Sequence, residues 1–144
     1  MLIVIDVGNT NIKVGLFEEG RLESSWRMAT KMHVTSDEIG IKMISFLDYL
    51  HRRPEEVEDI MISSVIPSIN YTIEHMCRTY FKKRPCFVEP GIRTGINILY
   101  DNPKELGSDR IVNAVAAYEK YGGPCITVDF GTATTFGAIS KKGE

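Results

Sequence analysis

A pattern that occurs twice constrains this chain more than anything else in it. Residues 3–20 read IVIDVGNTNIKVGLFEEG and residues 126–143 read ITVDFGTATTFGAISKKG. Aligned without gaps, Asp129 falls on Asp6, Gly131 on Gly8 and Gly143 on Gly20, an offset of 123 positions (129 less 6). Each copy is an apolar run ending at an acid, a polar turn opened by glycine, and a second apolar run. That is a β-hairpin with a carboxylate at its mouth. The turn suits phosphate: Gly8 lets backbone approach a ligand, Asn9 and Thr10 offer neutral donors, Lys13 a cation, and Asp6 an oxygen for a divalent metal. The same residues also read as a plain hairpin turn, because turn and phosphate-loop compositions overlap. A plain turn does not require its acid and glycine to be copied so far along the chain. The repeat therefore predicts an internal duplication. Residues 1–123 are expected to form one domain, and residues 124–144 to be the opening hairpin of an incomplete second one.

Between the hairpins the periodicity alternates. Leu22 to Met28 read as a third strand, completing an antiparallel meander. Thr35 and Glu38 form a capping box for a helix whose inner stripe is Ile39, Met43, Phe46, Leu47 and Leu50. Arg52, Arg53 and Pro54 are expected to end it, as cations near the C-terminus followed by a proline. Residues 60–65 read as a buried strand. Pro67 and Ser68 open a second helix with Ile69, Ile73, Met76, Cys77 and Tyr80 inward, and residues 85–89 read as another strand. Three strands, helix, strand, helix, strand is an α/β layered domain with a mixed sheet flanked by helices.

Residues 90–103, PGIRTGINILYDNP, form a long loop, and loops of that length in compact domains are often functional. Tyr100 is its candidate ligand contact, with simple loop packing as the equal alternative. Gly107, Ser108, Asp109 and Arg110 then open a helix carrying Ile111, Val112, Val115 and Tyr118 to about Tyr121, so this segment lies where backbone donors favour anions. Asp109 also reads as a charge that complements the helix dipole, and Arg110 as a surface ion pair.

The totals exclude several classes. A net charge of −2 gives no general pull toward nucleic acid or anionic membrane, and the basic run RTYFKKR reads as a solvated helix end. Cys77, Cys86 and Cys125 are odd in number and contain no CxxC pair, which indicates neither a zinc site nor a disulfide framework and fits reduced thiols in the cytoplasm. His33, His51 and His75 have no ligand-like spacing and read as ordinary surface residues. No signal peptide and no run of transmembrane length are expected.

Taken together, Asp6 to Thr10, Gly107 to Asn113, and Asp129 to Thr135 resemble the type III pantothenate kinases, in order along the whole chain. That family belongs to the superfamily of actin, sugar kinases and heat-shock chaperones, so the resemblance implies an actin-like (ribonuclease H-like) domain and a second similar one closing around a nucleotide. It implies transfer of the γ-phosphoryl of ATP to the 4′-hydroxyl of pantothenate, the first step of coenzyme A biosynthesis. Asp6, Val7, Gly8, Asn9, Thr10, Asn11, Ile12 and Lys13 would bind ATP, with Asp6 on the magnesium side, and Thr132 would contact ATP from the second hairpin. Asp129 would bind the monovalent cation, potassium or ammonium, that the family requires. Tyr100, Gly107, Ser108, Asp109 and Arg110 would hold pantothenate, with Arg110 on its carboxylate and Asp109 as the catalytic base. A homodimer is implied for the complete protein.

The chemistry of these residues accords with those roles. Phosphoryl transfer needs positioning and charge neutralisation more than covalent help, a primary alcohol needs a carboxylate within reach, and a carboxylate substrate calls for arginine. The sequence departs from the family at Ser108, where alanine is usual; serine is small and leaves Asp109 in place. Members of the family also continue through a full second domain, so the fragment's own competence is open. Two rivals are another small-molecule kinase of the superfamily, which the Gly107 to Arg110 segment disfavours, and a non-catalytic accessory transcription regulator, which the intact Asp6, Asp109 and Asp129 disfavour.

Overall fold

Alternation along the first strand decides how the sheet packs. In β1 (Leu2–Val7), Ile3, Ile5 and Val7 are buried, while Leu2, Val4 and Asp6 on the opposite face are partly exposed. β2 (Asn11–Glu18) matches it with Ile12, Val14 and Leu16 buried, and β3 (Arg21–Ala29) completes the expected meander. The computed structural model describes residues 1–144, the side chain of Lys104 excepted.

The capping box forms as expected. Thr35 Oγ1 accepts the Glu38 backbone N–H at 3.2 Å, and the Glu38 carboxylate accepts the Thr35 N–H at 2.9 Å. These bonds start α1 (Ser36–Tyr49), whose Ile39, Met43 and Leu47 are buried. β4 (Asp59–Ser64) returns parallel to β1, α2 (Pro67–Met76) buries Ile69, Ile73 and Met76, and β5 (Cys86–Phe87) pairs parallel with β4. The sheet order is β3-β2-β1-β4-β5, a mixed sheet whose odd β1 row joins the α1 and α2 stripes in one core. Each such side chain withdrawn from water contributes about 1.5–3 kcal/mol.

Three local expectations need correcting. The cations do not end α1. His51 does, in the left-handed region at φ 55°, with its N–H on Asp48 O at 3.0 Å and the Arg52 N–H on Leu47 O at 2.9 Å. This is a Schellman closure with histidine in the place glycine usually takes. Arg52 instead pairs with Glu18 and Glu56, and Arg53 with Glu56. The second helix runs on into a π-helical turn (Cys77–Phe81), closed by Lys82 at φ 57°. The last strand has two paired residues rather than five, because β5 meets β4 only at Cys86 and Phe87.

The chain forms two compact units, Met1–Phe87 and Val88–Glu144. The second contains the long loop, α3 (Ser108–Tyr121), and a hairpin of β6 (Cys125–Phe130) with β7 (Thr134–Ile139). One face of this hairpin carries Thr127, Asp129, Thr135 and Gly137 at intermediate exposure. The other carries Ile126, Val128 and Phe130, which are 72%, 43% and 83% exposed. By the repeat these three stand where Ile3, Ile5 and Val7 stand in the first copy, at 0%, 4% and 0%.

Candidate functional site

The first hairpin's turn is tied down by backbone. Gly8 N–H reaches Asn11 O at 3.0 Å, Thr30 Oγ1 donates to Gly8 O at 2.6 Å, and Thr30 N–H reaches Thr10 O at 3.0 Å. A Cβ on Gly8 would lie 3.2 Å from Asn11 O, so the turn closes most easily around glycine. Asn9 and Thr10 are exposed at its tip. Val7 and Ile12 are buried in the core, so their backbone alone could meet a ligand. Asp6 pairs with Lys13 across the strands, and Lys13 Nζ lies 3.4 Å from Asp6 Oδ2. Both side chains are well exposed, so solvent screens the pair and it contributes little to stability. It sets a carboxylate and an ammonium side by side next to the turn.

The second hairpin is not a gapless copy. In the first, Val7 pairs with Ile12 around four intervening residues; in the second, Phe130 pairs with Thr134 around three. Gly131 N–H closes on Ala133 O at 3.2 Å. A slip of one residue turns every side chain of the returning strand to the other face. The partner of Asp129 is therefore Thr135, a hydroxyl, where the partner of Asp6 is a lysine. Thr132 sits in this three-residue turn, exposed.

α3 begins at Ser108 after Gly107, which caps without a side-chain bond. Asp109 supplies what the cap lacks: its Oδ1 accepts the Arg110 backbone N–H at 2.8 Å, in the first turn where an anion is favoured. Arg110 makes no ion pair among the described residues, contrary to its plainer reading. Its guanidinium lies over the Tyr100 ring at 5.6 Å from the centroid and donates from Nη2 to Phe136 O at 2.9 Å.

Arg110 and Tyr100 open onto a cavity of about 580 Å³ within the second unit. The loop lines it with Ile96, Ile98 and Leu99, and Leu106, Ile111 and Ile139 continue the apolar wall. Asn113, Thr127, Asp129 and Thr135 make a polar patch in the same lining. The loop is held by Asn97 N–H on Gly143 O at 2.7 Å. The lining thus combines an apolar wall with Arg110, two acids, Asp129 and Glu144, and a few neutral polar groups.

Of the residues singled out in sequence, the cavity brings together Tyr100, Arg110 and Asp129. Gly107, Ser108, Asp109 and Thr132 lie outside its lining, and residues 6–13 belong to the first unit. Sequence reasoning missed Asn113 as a site residue, although helical spacing from Arg110 (i, i+3) puts the two on one face. It also missed Thr127 and Thr135, which the alternation of β6 and β7 places beside Asp129.

Comparison with known proteins bears on this arrangement. A family model described as type III pantothenate kinase matches residues 2–144. The chain belongs to the type III pantothenate kinase family. Relatives named type III pantothenate kinase, from Listeria monocytogenes serotype 4a and Listeria innocua serovar 6a, are each 54% identical over 143 residues. Each match covers 99% of this chain and 55% of the relative, so the chain spans about half the length of the curated relatives it matches. A solved Sinorhizobium meliloti structure, named for 2-dehydro-3-deoxygalactonokinase, superposes with a TM-score of 0.53 at 12% identity. It covers 99% of this chain and 50% of its own, and supports the sugar-kinase, actin-like fold alone.

A kinase of this family uses ATP with a divalent metal, and Asp6 fits that need. It is one half-exposed carboxylate beside a turn of backbone donors, and magnesium bound with phosphates takes one or two carboxylates and keeps its waters. Asp129 shares the cavity lining with the hydroxyl residues Thr127 and Thr135. Among the described residues no group of three or more His, Cys, Asp or Glu is gathered for a metal. No helix among them is long and apolar enough to cross a membrane.

Proposed function

We propose that the protein carrying this chain, at the length of its relatives, transfers the γ-phosphoryl group of ATP to the 4′-hydroxyl of pantothenate in coenzyme A biosynthesis. The observation that carries this reading is Arg110, stacked on Tyr100 at the wall of an apolar cavity, in a chain of this family. Pantothenate has a carboxylate at one end and an aliphatic alcohol at the other. Arg110 takes the carboxylate, and its packing on Tyr100 and its bond to Phe136 O fix the guanidinium before substrate arrives. The isoleucine and leucine wall takes the aliphatic part.

Asp109 is the base. Its Oδ1 is engaged by the Arg110 N–H, which leaves Oδ2 to accept the hydroxyl proton. The hydroxyl oxygen then bonds to the γ-phosphorus, the bond from that phosphorus to the β–γ bridging oxygen breaks, and ADP leaves with that oxygen's electrons. Residues 6–13 hold the phosphates, with Lys13 drawing charge from them, Asp6 facing magnesium, and Thr132 contacting ATP from the second hairpin. Asp129 holds the monovalent cation, potassium or ammonium, which lends positive charge near the reacting groups. We further read residues 1–123 as the first domain and 124–144 as the opening of a second, in a cytoplasmic homodimer.

The test is acceptor choice in the full-length protein. Pantothenate should be phosphorylated with a kcat/KM at least about a hundredfold above that of glycerol or a hexose, since a built polar site rejects analogues that leave it unpaired. Equal or better use of a sugar would overturn the reading in favour of another kinase of this fold.

A further inference from the structure

Asn113 stands on α3 one turn beyond Arg110, and its Nδ2 donates to Asp129 Oδ2 at 3.3 Å. Its partner lies on β6, so the bond joins the helix to the hairpin within the second unit. The repeat offers an internal control on what such a donor does. The acid of the first hairpin is faced by a lysine, 3.4 Å away in an exposed pair. The acid of the second is faced across the strands by Thr135, and its side-chain donor is a neutral amide. Among the described residues no ion pair reaches Asp129. A neutral donor holds one carboxylate oxygen in place without cancelling the charge, and leaves Oδ1 to a cation. The one-residue slip of β7 is what keeps Phe136, the sequence counterpart of Lys13, turned away from the acid.

We propose that Asn113 is a positioning residue for the cation held at Asp129: it fixes the rotamer of that carboxylate while preserving its full negative charge. This rests on the reading of Asp129 as the monovalent-cation ligand. Partners that orient a metal ligand commonly alter affinity by about 10–100-fold when removed. Asn113 Nδ2 donates a hydrogen bond to the carboxylate and takes no part in proton transfer.

The experiment is thermal unfolding of the full-length protein, without nucleotide, against potassium chloride at ionic strength held constant with choline chloride. Wild type should be stabilised by potassium along a saturable curve. Asn113→Leu, similar in shape and lacking the donor, should move the half-saturating potassium concentration up by about tenfold or more. Asn113→Ser, too short to span the gap, should move it in the same direction and serves if the leucine variant does not fold. A purely structural role would lower the midpoint in choline and leave the potassium dependence where it was, which would overturn the proposal while sparing the Asp129 reading. Indifference of wild type to potassium, matched by Asp129→Asn, would overturn both.

Discussion

Asp129 faces Thr135 across its strand pair, whereas Asp6, its counterpart in the repeat, faces Lys13. The two hairpins therefore carry the same acid in different company, a cation beside one and a hydroxyl residue beside the other. In the proposed function Lys13 marks the first as the phosphate side. Lys13→Ala should raise the KM for ATP about tenfold and change the KM for pantothenate little, because the lost charge–phosphate contact is worth about 1–3 kcal/mol. Steady-state kinetics with each substrate varied in turn checks this; an effect confined to pantothenate would contradict it.

Arg110 lies against Tyr100 and Phe136 O, so its plane is set rather than mobile. Arg110→Lys keeps the charge and loses the planar fork. It should raise the KM for pantothenate about tenfold or more with ATP binding unchanged. Tyr100→Leu loses the stacking, about 0.5–1 kcal/mol for an exposed cation–π contact, together with the ring's share of the cavity wall, and should also raise the KM for pantothenate with ATP binding unchanged.

The capping box links pH to stability. The backbone and side-chain bonds from Thr35 hold the Glu38 carboxyl below its ordinary 4.5. A carboxyl lowered in the folded state lends stability above its ordinary value and loses it as pH falls through the folded one. Unfolding midpoints should therefore drop as pH falls below about 4.5, and Glu38→Gln should shallow that fall while lowering stability at pH 7. Urea unfolding across this range is the measurement.

His51 occupies the left-handed position that ends α1, at φ 55°. A side chain there costs about 1–2 kcal/mol that glycine avoids, partly offset by glycine's greater freedom when unfolded. His51→Gly should raise stability by about 0.5–1 kcal/mol. Denaturant midpoints decide it; a loss would mean the imidazole makes a stabilising contact.

Much of this was legible in the sequence. Apolar runs and extended patterns gave β1 to β4, helical spacing gave the three helices, and Thr35 with Glu38 marked the start of α1 to the residue. The stop of α1 was not legible, because the left-handed position is filled by histidine, which carries no turn signal of its own. The π-helical turn at Cys77–Phe81 was hidden as well, since Cys77 and Tyr80 still fit a helical stripe.

At the site, motif residues were visible but their partners were not. A gapless repeat suggested equivalent hairpins, and only strand pairing revealed the one-residue slip that gives Asp129 a hydroxyl neighbour. Asn113 looked like one more polar residue of an amphipathic helix until the hairpin was seen to lie against it.

The most direct test is the mass of the product formed by the full-length protein with ATP, magnesium, potassium and pantothenate, run beside Asp109→Asn. The account predicts phosphopantothenate from wild type and a turnover lower by about a hundredfold or more in the variant, with ATP binding retained. Equal turnover in the two would remove Asp109 as the base, and no phosphopantothenate from wild type would contradict the proposed reaction itself.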